Sequence, residues 1–345
     1  MKKKAASLLK FLILLTVAGV LLYFSFRGMS VGKIFQQLRE ANAFWLALSI
    51  IISIGAHLSR AYRWKLLIEP LGYNPPLKKT FYSLMVGYFA NLAFPRLGEV
   101  TRCGSLNKTE SIPFSSLIGT VIVERAVDVL TLLACMVLTV IVEYKKVGGW
   151  LTEKIIQPMV AKLQHAIISP VFIIGLVLFI VAIVAGIRYF KKRTGQSNKE
   201  SRVANFIKEL VKGIKSIANL KRPGQFIFHS ILIWIFYFFS TYVTFFAFPN
   251  SHSLGFGAGL LSLVLASVAM SAPVQGGIGV YHLLVSEGLM FYGLSREDGL
   301  TIATFLHTSQ MALVILLGSI SLFLLFLENK NKSRVDPKPA QNQII

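Results

Sequence analysis

The sequence predicts an all-α, polytopic membrane protein with about six spanning helices plus two re-entrant helical hairpins, or eight helices in the alternative. Hydrophobic residues make up 54% of the 345-residue chain and charged residues only 15%. The mean hydropathy is +0.63, and apolar stretches recur from residue 8 to residue 327. The hydrophobic share of 54% is well above the apolar share of a soluble domain. We therefore predict one integral membrane domain over residues 1–327 and no separate soluble catalytic domain.

Six stretches are long enough to cross the bilayer as helices, at about 20 residues each. They are predicted near residues 8–26, 43–62, 112–142, 168–190, 226–248 and 297–327. The first has a basic start, as a signal peptide has. Because it is of span length and lacks a small-x-small cleavage site, we predict a retained helix.

Two shorter apolar regions each end on a proline. They cover residues 80–95 and 255–272, end at Pro95 and Pro273, and are each followed by another helix-like piece. Six spans return the chain to its starting side only if 80–110 and 255–294 each enter and leave by one face. Each is then a re-entrant hairpin, and the two enter from opposite faces, as in transporters with a site at the midplane. Eight kinked spans are the alternative.

Basic residues predict the orientation and the surroundings. The 36 Lys and Arg residues exceed the 15 Asp and Glu, which gives a net charge of +21. They cluster beside the ends of apolar segments, as cytoplasmic loops facing anionic headgroups do. We predict a cell (inner) membrane protein with both termini cytoplasmic, and no binding of nucleic acid. The orientation is predicted from four basic clusters: the N-terminal lysines, a loop with Arg60, Arg63, Lys65, Lys78 and Lys79, the stretch 188–222, and the C-terminal tail.

Two segments outside the spans have their own patterns. Residues near 200–220 alternate apolar and basic side chains at helical spacing, which predicts an amphipathic helix on the anionic inner leaflet. Anchoring is its favoured role, with binding of a protein partner as the alternative. Residues 328–345 are polar, carry prolines and are predicted to be disordered.

Several classes of site are not indicated. Cys103 and Cys135 lack CxxC spacing and are predicted to be inert packing residues. The six histidines show no paired-ligand spacing, so no metal is predicted. The chain has no P-loop, no GxSxG and no nucleotide motif, so no cofactor is predicted.

Three charges lie inside the third apolar span. Glu124, Arg125 and Asp128 are three or four residues apart, so they can share one helix face. Ionised groups at this depth cost several kcal/mol unless they are paired or turned toward water, which marks them as functional candidates. An internal salt bridge that locks helix to helix is the structural alternative.

The first hairpin has a similar pattern around its proline. Arg96, Glu99 and Arg102 recur every three residues after Pro95, so a helix resuming there places them on one ridge. Asn91 can hydrogen-bond backbone groups that the proline leaves free. An ordinary charged loop at the cytoplasmic surface is the alternative.

The second hairpin is rich in glycine. Pro273 ends the first arm, and Gly276, Gly277 and Gly279 leave bare backbone before the second arm, where exposed amides suit a phosphate or carboxylate. Tight helix packing explains these glycines almost as well. His282, one turn into the second arm, is a candidate polar lining residue.

Three motifs together carry a family resemblance. "NLAFPRLGEVTR", then "VERAVD" in a span, and "PVQGGIG" late in the chain are similar to the lysylphosphatidylglycerol synthase transmembrane-region family, the flippase-like domain of the multiple peptide resistance factor. The resemblance covers roughly residues 8–327. It implies a single flippase-like domain, movement of aminoacylated phospholipid between leaflets, and a lipid-headgroup cavity at the residues of these motifs. Related stand-alone members of the family are linked to other lipids or to archaeal glycosylation. Those residues are Asn91, Pro95, Arg96, Gly98, Glu99, Arg102, Glu124, Arg125, Asp128, Pro273, Gly276, Gly277, Gly279 and, beside them, His282.

Two departures from the family limit what the resemblance implies. The aminoacyl-transferase domain that follows the flippase in the full resistance factor is absent, which argues against lysyl transfer and favours a non-enzymatic role. His282 stands where an acidic residue is expected, so the lipid stays open.

Three functional hypotheses result. The leading one is a transporter that binds a phospholipid or lipid-linked headgroup, with the arginines holding phosphate oxygens and the carboxylates orienting them or binding a cationic group. The second is a membrane-embedded transferase acting on a lipid, with Glu99 or Asp128 as general base. The third is a non-catalytic accessory subunit. Direction of movement, coupling ion and homo-oligomerisation stay open.

Overall fold

The computed structural model describes residues 31–94, 97–144, 202–272 and 274–335. Within these ranges the chain is helical and contains no strand. Short 3₁₀ turns extend or link several of the helices. The described residues form ten α-helices, which are α1 (Val31–Glu40), α2 (Ala43–Ile68), α3 (Leu77–Ala93), α4 (Leu97–Glu110), α5 (Phe114–Val142), α6 (Arg202–Ile214), α7 (Pro223–Thr244), α8 (Phe256–Ser271), α9 (Val280–Met290) and α10 (Arg296–Val335).

Four of the predicted spans coincide with helices long and apolar enough to cross a membrane. These helical segments are Ala43–Leu71, Phe114–Val142, Pro223–Ala247 and Arg296–Glu328. The predicted spans 8–26 and 168–190 lie outside the described residues. The all-α, polytopic membrane class is therefore confirmed. Helix α10 continues to Val335, beyond the predicted end of the membrane domain at residue 327, and residues 336–345 are outside the described part.

The helices of the two predicted hairpins are shorter than the spans. Helices α3 and α4 have 17 and 14 residues, and α8 and α9 have 16 and 11. At about 1.5 Å per residue, none reaches across about 30 Å of hydrocarbon. Within each hairpin the two helices pack against each other. These lengths agree with helices that turn back inside the bundle.

The first hairpin opens at one end of the bundle. Lys78 and Lys79, at the start of α3, form ion pairs with Glu328 of α10 at 3.4 and 3.9 Å. Lys79 also binds Glu110, at the end of α4, at 2.6 Å. We call this the basic end, because its described residues also include Lys65, Lys108, Lys221 and Arg222.

The second hairpin opens at the opposite end. Gly257, at the start of α8, lies against the Glu143 side chain that follows α5. Gln37 of α1 donates a hydrogen bond to Asp298, at the start of α10, at 2.7 Å. We call this the acidic end, after its described residues Glu40, Glu143, Glu297 and Asp298.

The tips of the two hairpins meet inside the bundle. Helix α3 packs against the 3₁₀ turn Gln275–Gly277. A Cβ built on Gly276 would lie 3.6 Å from a Leu92 methyl group and 3.1 Å from Met311. Gly276, Gly277 and Gly279 have φ values of +56°, +72° and +83°, where a side chain is strained. The glycine motif therefore makes the turn between the arms, and α9 begins directly after it, as predicted.

A close backbone approach holds the first hairpin together. A Cβ on Gly98 would lie 2.2 Å from the Gly87 carbonyl oxygen and 2.6 Å from the Asn91 amide. Asn91 Oδ1 accepts a hydrogen bond from the Gly98 backbone N–H at 2.6 Å. The predicted role of Asn91, to bind backbone next to the proline, agrees with this contact.

The predicted amphipathic helix is α6, continued by the 3₁₀ turn Lys215–Asn219. It packs on α5 through a second glycine crossing, where a Cβ on Gly213 would lie 2.2 Å from the Ser116 carbonyl oxygen. Ser116 also donates a hydrogen bond to Glu209 at 2.6 Å. The helix keeps a face of exposed apolar residues, namely Phe206, Ile207, Val211 and Ile214.

We predict that Gly98→Ala destabilises the protein while Gly104→Ala on the same helix does not. The Gly98 methyl would overlap the α3 backbone, and overpacking costs about 1–3 kcal/mol. A Cβ on Gly104 meets nothing within 4 Å, so alanine there is neutral or stabilising by up to about 1 kcal/mol. Thermal unfolding in detergent measures both. Equal melting temperatures would contradict the close approach.

Candidate functional site

Charged residues from three helices form one buried cluster. We call it the arginine cluster and define it by Arg60 and Arg63 of α2, Glu99 and Arg102 of α4, and Glu124, Arg125 and Asp128 of α5. The sequence predicted that residues 96–102 and 124–128 are neighbours around one cavity. Among the described residues, the structure brings Glu99 and Arg102 next to residues 124–128. It adds two arginines that the sequence did not assign to a site.

Glu124 lies at the centre of the arginine cluster. Its side chain is completely buried and forms ion pairs with three arginines. Arg102 Nη2 is 3.1 Å from Oε2, while Arg63 Nη2 and Arg60 Nη2 are 3.4 and 3.6 Å from Oε1. One carboxylate therefore connects α2, α4 and α5.

Asp128, one turn further along α5, binds the same arginines from α2. Arg63 Nη2 donates a hydrogen bond to Asp128 Oδ1 at 2.7 Å, and Arg60 donates one to Oδ2. Glu124 and Asp128 thus share the face of α5 that meets α2, as their four-residue spacing predicted.

Arg125 and Glu99 form the accessible edge of the cluster. Arg125 Nε lies 3.7 Å from Glu99 Oε1, and Arg125 Nη1 lies 3.8 Å from Asp128 Oδ2. The side chain of Arg125 is 41% exposed and that of Glu99 is 29% exposed, against 0% for Arg63 and 2% for Arg102. A group approaching the cluster would therefore meet this looser pair first.

Arg60 and Arg63 correct the sequence interpretation. The sequence predicts both as basic residues of a cytoplasmic loop, at the end of a span near residues 43–62. Helix α2 instead continues to Ile68, and both arginines are buried in it. Their spacing of three residues was the available signal, because it places both on one face of a continuous helix.

Aromatic side chains enclose two of the arginines. The Arg102 guanidinium lies 4.7 Å from the centre of the buried Trp64 ring, within cation–π range. Arg60 donates a hydrogen bond to the Tyr237 hydroxyl of α7 at 2.8 Å. Both partners keep the guanidinium planes fixed without adding negative charge.

The arginine cluster lies well inside the helix bundle. Arg63 is five residues before the end of α2, Arg102 eight before the end of α4, and Glu124 ten after the start of α5. At about 1.5 Å per residue, these positions are about 8–15 Å from the basic end.

Other predicted site residues lie elsewhere or outside the described part. Arg96, Pro95 and Pro273 are not among the described residues. His282 is buried in α9, where its ring packs on that of His307 at 4.9 Å. His307 shares a hydrogen bond of 2.7 Å with the Gly276 carbonyl oxygen. The glycine motif and His282 thus belong to the second hairpin.

Two cavities of about 270 Å³ lie at the ends of the bundle, and neither is lined by the arginine cluster. The one at the basic end is lined by residues that include Glu69, Lys221 and Arg222. Arg222 donates hydrogen bonds to Glu69 and to Tyr62. The bond to Glu69 raises the pKa of the Arg222 guanidinium above its usual value.

Within the described ranges, no group of His, Cys, Asp and Glu could hold a metal ion.

We predict that Glu124→Gln destabilises the protein far more than Glu110→Gln. Removing the Glu124 charge leaves buried arginines uncompensated, and breaking a buried pair costs about 3–5 kcal/mol. Glu110 is paired with Lys79 at the partly exposed basic end, where a pair contributes about 1 kcal/mol or less. Chemical unfolding in detergent measures the difference. Similar losses would contradict the central role of Glu124.

Comparisons with known proteins agree with the architecture. A UPF0104 membrane protein of Methanocaldococcus jannaschii, MJ1595, is 25% identical over 241 residues, which cover 65% of this chain and 68% of that protein. A UPF0104 membrane protein of Methanothermobacter thermautotrophicus is 25% identical over 289 residues, covering 79% of this chain and 78% of that protein. No solved structure matches. The model of the lysylphosphatidylglycerol synthase TM region matches residues 8–318, and the chain belongs to this family of membrane proteins connected to lipid handling.

Proposed function

We propose that this protein binds the anionic headgroup of a phospholipid or lipid-linked substrate at the arginine cluster and assists its movement between leaflets. The observation that carries the proposal is a set of unused donors. The Nε and Nη1 groups of Arg63 and of Arg102 are buried without a hydrogen-bond partner in the described part of the chain. Leaving a buried donor unpaired costs about 1–3 kcal/mol, more for a charged group.

The charge of the cluster supports an anionic ligand. Its described members are four arginines and three carboxylates, which leaves one positive charge in surplus. A phosphodiester carries one negative charge and accepts charge-assisted hydrogen bonds from guanidinium groups. It would therefore satisfy both the unused donors and the surplus charge.

The depth of the cluster and the two hairpins support transport. Broken helices entering from opposite ends and meeting near the midplane are typical of secondary transporters. The headgroup would pass the arginines while its acyl chains stay in lipid. The exposed edge at Arg125 and Glu99 provides an entry from the membrane side.

The orientation follows from the charges at the two ends. Because cytoplasmic loops are rich in Lys and Arg, we place the basic end in the cytoplasm, together with both termini. The first hairpin would then enter from the cytoplasmic face of the cell membrane. The exposed apolar face of α6, next to Lys208, Lys212 and Lys215, would rest on the anionic inner leaflet.

A transferase reaction is less well supported. Asp128 is held by Arg60, Arg63 and Arg125, so both of its carboxylate oxygens are already engaged by the protein. A modified lipid product in the transport assay below would nevertheless favour this alternative.

We predict that Arg63→Lys slows lipid exchange in proteoliposomes by about tenfold or more. Lysine keeps the charge but loses the planar set of donors, and a hydrogen bond to a charged group contributes about 1.5–3 kcal/mol. Exchange is measured as the rate at which a fluorescent phospholipid in the inner leaflet loses its protection from an impermeant quencher added outside the liposomes. Arg222→Lys, which changes an arginine paired outside the cluster, serves as the control and should retain the rate within about twofold.

The same assay separates the three hypotheses. Exchange by the unaltered protein no faster than in empty liposomes would defeat the transport proposal. A covalently altered lipid in the vesicles would favour the transferase. If the unaltered protein and Arg63→Lys exchange lipid at the same rate, the arginine cluster has only a structural role.

We also predict opposite accessibility of the two ends. In a variant without Cys103 and Cys135, a cysteine at the exposed Asn74 of the basic end should react with an impermeant thiol reagent only from the cytoplasmic side. A cysteine at the exposed Asn250 of the acidic end should react only from outside. Intact cells and inverted vesicles provide the two sides. The reversed pattern would overturn the proposed orientation.

A further inference from the structure

An uncharged group of hydrogen-bonding residues adjoins the arginine cluster. His57 of α2 lies one turn from Arg60 on the same helix. Its ring packs against Tyr88 of α3 with 5.4 Å between the centroids. Arg60 in turn donates a hydrogen bond to the Tyr237 hydroxyl. The group therefore continues the cluster toward the acidic end.

His57 and Tyr88 have polar atoms that the protein does not use. His57 is only 6% exposed. Both of its ring nitrogens and the Tyr88 hydroxyl are buried without a hydrogen-bond partner among the described residues. A neutral imidazole offers one donor and one acceptor, and a phenol offers both in one atom. These groups match an alcohol, which also donates and accepts.

The neighbouring charges disfavour an amine at the same place. Each carboxylate of the cluster is already ion-paired with at least one arginine. With a phosphate bound, the described charges of the cluster balance. An ammonium group would therefore have to compete with an arginine for a carboxylate that is already ion-paired.

We propose that His57 and Tyr88 form a hydroxyl subsite, so that the cluster selects an anionic headgroup carrying free hydroxyl groups, such as a glycerol or sugar phosphate, over one carrying an amine. The inference rests on the proposed function, because it assigns the part of the headgroup beyond the phosphate. The phosphate lies on the unused donors of Arg63 and Arg102. The hydroxyl groups lie deeper, between α2 and α3.

The test measures lipid binding to the full-length protein in detergent by native mass spectrometry. The probes are phosphatidylglycerol, phosphatidic acid, phosphatidylethanolamine and lysyl-phosphatidylglycerol with the same acyl chains. We expect phosphatidylglycerol to bind at least about tenfold more tightly than either amine-bearing lipid. Tyr88→Phe, which removes a single oxygen, should weaken phosphatidylglycerol binding about five- to tenfold and leave phosphatidic acid unchanged.

Two further variants keep the proposal falsifiable. His57→Gln retains a donor and an acceptor and should preserve the preference, while His57→Phe should remove it. Tyr281→Phe removes a buried phenol from a different core cluster and should change nothing. Melting temperatures show which variants are folded. If both His57 variants unfold, the binding measurements on Tyr88→Phe alone test the hydroxyl subsite.

The outcomes distinguish this inference from the proposed function. Binding of none of the four lipids would defeat the proposed function itself. Equal binding of phosphatidylglycerol and phosphatidic acid by the unaltered protein and by Tyr88→Phe would overturn the subsite alone. If lysyl-phosphatidylglycerol binds as tightly as phosphatidylglycerol, or more tightly, the selection against amines is overturned.

Discussion

The described structure depends on the ion pairs that the buried Glu124 carboxylate forms with three arginines. Glu124 neutralises part of the charge of Arg60, Arg63 and Arg102, which approach it from two other helices. Buried guanidinium groups are expensive in a bilayer unless they are paired, so these helices have a strong reason to meet at this point. Asp128 extends the same contact by one turn. Apolar packing among Trp64, Leu106 and Leu117 surrounds the ion pairs.

The break in the first hairpin makes that contact geometrically possible. Helix α4 must run close beside α3 to place Arg102 next to Glu124, and the approach of Gly98 to Gly87 allows it. The Asn91 side chain holds the amide of Gly98 at the start of the new helix. A continuous span would instead carry residue 102 beyond α3, away from α5. Helix breaking and charge pairing are therefore two parts of one arrangement.

The sequence predicted the spans and the hairpins because both are local properties. Hydropathy marked the four long helices within the described ranges, and prolines and glycines marked the turns. Charges in apolar runs also revealed Glu99, Arg102, Glu124 and Asp128. Arg60 and Arg63 were missed because they end an apolar stretch, where charges normally indicate a loop. Their burial depends on carboxylates more than 60 residues away, and no local pattern contains that information.

Structural and functional interpretations of the arginine cluster are compatible. If the charges served only to lock helices, three carboxylates could be matched by three arginines, and their donors would be paired within the protein. Within the described ranges the cluster instead has an additional arginine, and the Nε and Nη1 groups of Arg63 and Arg102 have no hydrogen-bond partner there. In the proposed function, stability would require the carboxylates, whereas recognition would require the donors left over. The proposed phosphate ligand would use those donors without displacing Glu124, so binding and a folded bundle would be compatible.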